Sequence, residues 1–108
     1  MMMKMYKILQ CKGLAPGSVV ISTAGHDSGS VYVVTCIELP FVWLSDGHHR
    51  PVDKQKKKRI SHIKRLGQIK QQDWDRMLTG NVDNGQRNAR IRCLIKSFIS
   101  MNKTEEER

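Results

Sequence analysis

With 108 residues, 39% apolar and only 6% aromatic, the chain has material for one domain with a modest core beneath a large solvated surface. Nineteen Lys and Arg against ten Asp and Glu leave a formal net charge of +9, which points to an acidic partner. Cys11, Cys36 and Cys93 are odd in number and never spaced as CxxC, which excludes a disulfide scaffold and a zinc ribbon and fits a reduced, cytoplasmic compartment. No apolar run reaches the ~18 residues of a membrane span, and the apolar stretch near the N-terminus is too short for a signal peptide.

Residues 1–14 are methionine-rich and weakly patterned and read as a leader, with a short strand or turn over Met5 to Cys11. Ala15-Pro16-Gly17 punctuates the chain, and Val19-Val20-Ile21 is a β-branched run with strand composition. Gly25 and Gly29 frame an Asp27-Ser28 turn into a second strand over Val31 to Ile37. Leu39-Pro40 breaks that strand, and Phe41 to Leu44 give a third, ending at Asp46-Gly47. A further strand or extended edge is expected around Ile60, Ile63 and Leu66. Three or four short strands joined by tight turns predict a small antiparallel barrel or strongly bent sheet, since a lone hairpin is too weak to stand in water. The chain is therefore expected to be mainly β over residues 15–67. Residues 68–108 form a polar connector and a C-terminal α-helix. In the connector Ile69, Trp74, Met77 and Leu78 allow a turn or two of helix. Asn84 is the expected cap of the final helix, whose apolar stripe runs Ala89, Ile91, Leu94, Ile95 and Phe98. Arg87, Arg90, Arg92 and Lys96 fall on its remaining surface.

The chemistry concentrates after Gly47. Arg50, Lys54, Lys56, Lys57, Lys58, Arg59, Lys64 and Arg65 are opposed only by Asp53, so this stretch carries seven of the nine net charges. Like charges this dense repel one another and resist burial, and a phosphate polyanion is the commonest partner that repays keeping them together. These eight side chains are the expected nucleic-acid contacts. Arg50, Arg59 and Arg65 are the ones to orient an RNA, because a guanidinium forks onto a phosphate or stacks on a base. Reversing Lys56, Lys57 and Lys58 to glutamate is then the expected way to abolish binding without unfolding the scaffold.

The run Pro16-Gly17-Ser18-Val19-Val20-Ile21, through Gly25-His26-Asp27-Ser28-Gly29 to Val31-Tyr32-Val33-Val34, resembles the KOW motif. With the continuation Val42-Trp43-Leu44-Ser45-Asp46-Gly47, Arg50-Pro51-Val52 and Lys56-Lys57-Lys58, it resembles the bacterial KOW-domain RNA-binding proteins. These are similar to the KOW-type large-subunit ribosomal proteins of archaea and eukaryotes. The resemblance covers about residues 16–65. It implies an SH3-like barrel whose loops and basic rim contact RNA, usually ribosomal RNA. Gly17, Gly25 and Gly29 match the turn glycines of that family, and Val20 and Val31 its barrel positions. The loop departs from the family at His26 and Ser28, where lysine is frequent.

Other residues carry blander expectations. Trp43 belongs to the core of a small barrel more readily than to a base, while Trp74 is evenly balanced between packing and contact. His48-His49 read as turn residues, and His26 and His62 have no second ligand at metal spacing. The three cysteines read as small packing residues. No phosphate loop, HExxH or nucleophile elbow appears, so no enzyme, metal or cofactor is expected. The expected partners are RNA and, with it, ribosomal proteins, with the chain a monomer when free. The competing reading is an SH3-like protein-interaction module docking on an acidic surface of a transcription or translation complex.

Overall fold

Val19, Val33 and Val42, each fully shielded from solvent, lie in the first three of five strands: β1 (Ser18–Ser22), β2 (Val31–Glu38), β3 (Phe41–Ser45), β4 (Lys56–Arg59) and β5 (Ile63–Gln68). The computed structural model describes residues 13–80 and 82–106, with side chains as far as Met101. The suggested strand over Met5 to Cys11 lies outside the described residues. The sheet is antiparallel throughout, in the order β4-β3-β2-β1-β5. Two helices follow, α1 (Gln71–Leu78) and α2 (Asn84–Glu106).

The turns are where the glycines placed them. Gly25 and Gly29 close the β1–β2 connection with φ of +86° and +93°, values that side chains rarely adopt. The β2–β3 hairpin turns at Leu39-Pro40, whose peptide bond is cis. After Ser45, the Asp46 carboxylate accepts the backbone N–H groups of His48 and Arg50, both at 2.8 Å, which fixes His48 and His49 as exposed turn residues.

The single segment expected around Ile60 to Leu66 proves to be two strands separated by a 3-10 turn at Ile60–His62. β4 is built wholly from Lys56-Lys57-Lys58-Arg59, residues with little strand preference and four like charges. Its strand conformation is imposed by the β3 ladder, in which Phe41 faces Arg59, Val42 faces Lys58, Trp43 faces Lys57 and Leu44 faces Lys56. The 3-10 turn then crosses the end of the sheet. Ile60 N–H donates to the Pro40 carbonyl at 3.0 Å, and Thr23 N–H donates to the His62 carbonyl at 2.9 Å. Five flat strands would hold their edges about 19 Å apart. The four residue steps from Arg59 to Ile63 span at most roughly 14 Å. The sheet must therefore curl, with β4 and β5 as its two edges in the hydrogen-bond order.

Curling gives the sheet two apolar faces. On the concave face Val20, Tyr32, Val34, Val42 and Leu44 form one buried cluster, flanked by Leu14, Ile37, Ile60 and Ile63. On the convex face Val19 and Val33 meet Ile69, Trp74, Met77, Ile91 and Ile95 from the helical segment, with Val31 and Val52 at the margin. Residues 68–80 are thus more than a polar connector, since α1 drives Trp74 and Met77 into this second cluster. Of the two barrel positions expected from the resemblance, Val20 lies inside the curl and Val31 at the border of the convex cluster.

Helix α2 follows the expected stripe with one correction. Ile91 and Ile95 are buried and Leu94 and Phe98 half-buried, but Ala89 is exposed. Asn88 takes the inward place, its Oδ1 accepting the Val52 N–H at 2.8 Å. The cap is also one residue earlier than expected, Asp83 rather than Asn84, which is the first residue of the helix. Asp83 Oδ1 accepts the Gln86 N–H at 2.8 Å, the geometry of an N-cap. Arg90 donates to the carbonyls of Arg76 and Thr79 and so satisfies the last turn of α1, while Arg92 donates to the Gly47 carbonyl. The arginines of α2 are therefore partly occupied in holding the helices to each other and to the Asp46-Gly47 turn.

Candidate nucleic-acid interface

Side chains alternate along a strand, so the four cations of β4 cannot all face solvent. Lys58 stands opposite buried Val42 and turns into the concave side, where it is 8% exposed. Its ammonium donates to Asp27 Oδ1 at 2.6 Å and to the Ala24 carbonyl at 2.8 Å. Ser22 Oγ and the Tyr32 hydroxyl also donate to the Asp27 carboxylate, each at 2.9 Å. Burial alone would raise the Asp27 pKa. The hydrogen bonds from Lys58, Tyr32 and Ser22, with the charge of Lys58, overcome that and lower it from 3.8 to about 2. Tyr32 is pushed up to about 12 by burial and by the Asp27 carboxylate. The expectation that Lys58 belongs with the phosphate-binding cations is therefore corrected: it fastens the Gly25–Gly29 loop to β4. Replacing it with glutamate would set two carboxylates together in that site, so the triple reversal at Lys56, Lys57 and Lys58 does not separate binding from folding.

The other candidates are distributed differently. Lys54, Lys57, Arg59, Lys64 and Arg65 are exposed, whereas Arg50 and Lys56 are half-buried. Lys56 sits opposite Leu44 on the Lys58 side of the strand. Lys57 and Arg59 share the opposite, convex face with Trp43 and Phe41. The Lys57 ammonium lies 4.7 Å from the Phe41 ring centre and 5.5 Å from that of Trp43, and the Arg59 guanidinium lies 5.2 Å from Phe41. Glu38 approaches Lys57 at 3.7 Å, but with side chains 63% and 45% exposed this pair holds little in place.

Trp43 departs from the core role expected of it, and Trp74, evenly balanced between packing and contact, proves to be a packing residue. Trp74 is 3% exposed in the convex cluster, while Trp43 is only partly covered and belongs to neither buried cluster. Phe-Val-Trp-Leu is apolar at every position, so it offers no polar contrast to show which pair faces inward. The two rings alternate with the two aliphatic residues, and only pairing with β4 sets Phe41 opposite Arg59 and Trp43 opposite Lys57. Cys36 and Cys93 are likewise exposed rather than packing residues, and Cys11 lies outside the described residues. Gly17 adopts φ +93°, and its N–H donates to the Val34 carbonyl at 2.8 Å, as a turn glycine at the mouth of β1 should.

Among the described residues no three His, Cys, Asp or Glu side chains gather to hold a metal ion, and no helix is long and apolar enough to cross a membrane. No protein-family model matches the chain, and no curated protein matches it.

Proposed function

We propose that the chain is an RNA-binding protein of the KOW type, its curled sheet an SH3-like barrel that presents cations to the phosphates of ribosomal RNA in the cytoplasm. The observation that carries this reading is the placement of Lys57, Arg59, Lys64 and Arg65. All four are exposed, and they stand on two strands joined by a three-residue turn. Fixing cations on hydrogen-bonded backbone lowers the entropy lost when they meet a phosphate row. The positive φ at Gly17, Gly25 and Gly29 and the curl that draws β4 toward β5 support the KOW and barrel parts of the reading.

Binding is driven by counterion release, so log K for RNA falls linearly with log salt. With the five exposed cations of the basic stretch in contact, the slope is about −3.5 to −4.5. A titration across salt concentrations tests this, and a slope near zero overturns it. A pull-down repeated after ribonuclease treatment separates RNA from an acidic protein surface as the partner, because only protein-mediated partners persist.

A further inference from the structure

The convex face of the sheet is covered over only part of its extent. The helices lie over Val19 and Val33, while the part formed by β3 and β4 keeps Phe41 and Trp43 outside both buried clusters. Resting on the RNA reading above, we infer that Phe41 and Trp43 form a stacking platform for unpaired bases of a single-stranded RNA, with Lys57 and Arg59 taking the adjoining phosphates.

Three features of the patch select this occupant. The rings are two residues apart on one strand, so they lie side by side about 6.6 Å apart along it. Bases in an RNA duplex cover one another in the stack, so they have no free faces to lay on two rings side by side. An unstacked strand has them. Lys57 lies over both rings and Arg59 over Phe41, so ring faces and phosphate-binding cations share one patch, as base and phosphate share one nucleotide. Finally, the ammonium over the rings is held loosely. Lys57 is 45% exposed, and its pairing with Glu38 is a surface contact. A cation–ring contact at that exposure is weaker than base stacking, so an arriving base displaces the ammonium toward the phosphate. Arg59 adds a planar guanidinium suited to stacking or to forking onto phosphate.

The test uses the full chain, a single-stranded oligouridylate and a blunt, fully paired RNA duplex, at low salt. The protein has two tryptophans, and Trp74 is buried, so quenching on RNA addition reports Trp43. The expected result is that the single strand quenches the emission and the duplex does not. Trp43→Phe should abolish the quenching yet keep most of the affinity. Trp43→Leu with Phe41→Leu keeps apolar surface but removes the rings. It should weaken single-strand binding roughly 5- to 150-fold for each base lost, and leave duplex binding unchanged. Far-UV circular dichroism confirms that the variants are folded. If the single strand binds without quenching and the leucine variant binds equally well, the platform is overturned while the RNA reading stands. If polyglutamate displaces the RNA as readily as a second oligouridylate, the contact is one of charge alone and the platform is again overturned. If neither RNA binds at low salt, the RNA reading falls and the platform with it.

Discussion

Lys58 and Asp27 are thirty-one positions apart in the chain, and their charged atoms meet at 2.6 Å beneath the sheet. The contact joins the loop between β1 and β2 to an edge strand that has no apolar residue to anchor it. Removing one partner leaves the other charge in a shielded site. Lys58→Met and Asp27→Asn are each expected to cost about 3 kcal/mol in urea unfolding. The double variant is expected to lose less than the sum, with a coupling of about 1–3 kcal/mol.

The same carboxylate sets an acid limit. Its folded pKa of about 2 lies below the ordinary 3.8, so its contribution to stability is complete above pH 3.8 and lost as pH falls toward 2. The shift corresponds to about 2 kcal/mol. Unfolding followed between pH 5 and pH 2 should show this decline, and Asp27→Asn should flatten it. Tyr32 acts with the opposite sign: its pKa is raised to about 12, so its contribution holds below pH 10 and disappears as pH rises toward 12.

RNA binding should distinguish neighbours on one strand. Lys57→Ala and Arg59→Ala are each expected to weaken binding and to make the salt slope shallower by about 0.7 to 0.9. Lys58→Met, although central in the lysine run, should leave the slope unchanged wherever the protein stays folded. Equal slopes for all three variants would contradict the alternation of faces.

The tryptophans should separate in stability. Trp74→Ala opens a cavity where α1 meets the sheet, at an expected cost of about 3–5 kcal/mol. Trp43→Ala removes a partly exposed ring and should cost about 1 kcal/mol, as read from denaturant midpoints.

A close approach of β5 to α2 gives a further check. A Cβ at Gly67 would stand 2.5 Å from the Phe98 ring. Gly67→Ala is therefore expected to lower stability by about 1–3 kcal/mol, and Phe98→Leu in the same chain should recover part of the loss.

Much of this molecule is written locally. β-branched runs and turn glycines mark β1, β2 and β3, because strand preference and positive φ are properties of single residues and their neighbours. The apolar stripe of α2 is visible at Ile91, Leu94, Ile95 and Phe98, and the charge excess at Arg50 to Arg65 is evident from composition. Tertiary structure decided how that charge is used. Lys56-Lys57-Lys58-Arg59 has no contrast between neighbours, so nothing within it says which side chains turn inward. Pairing with β3 decides it, placing Lys58 opposite Val42 and Lys57 opposite Trp43. One lysine thereby becomes a buried brace, and the next stays at the surface beside two rings. Register depends on partners distant in the chain, and a slip of one residue would exchange those roles.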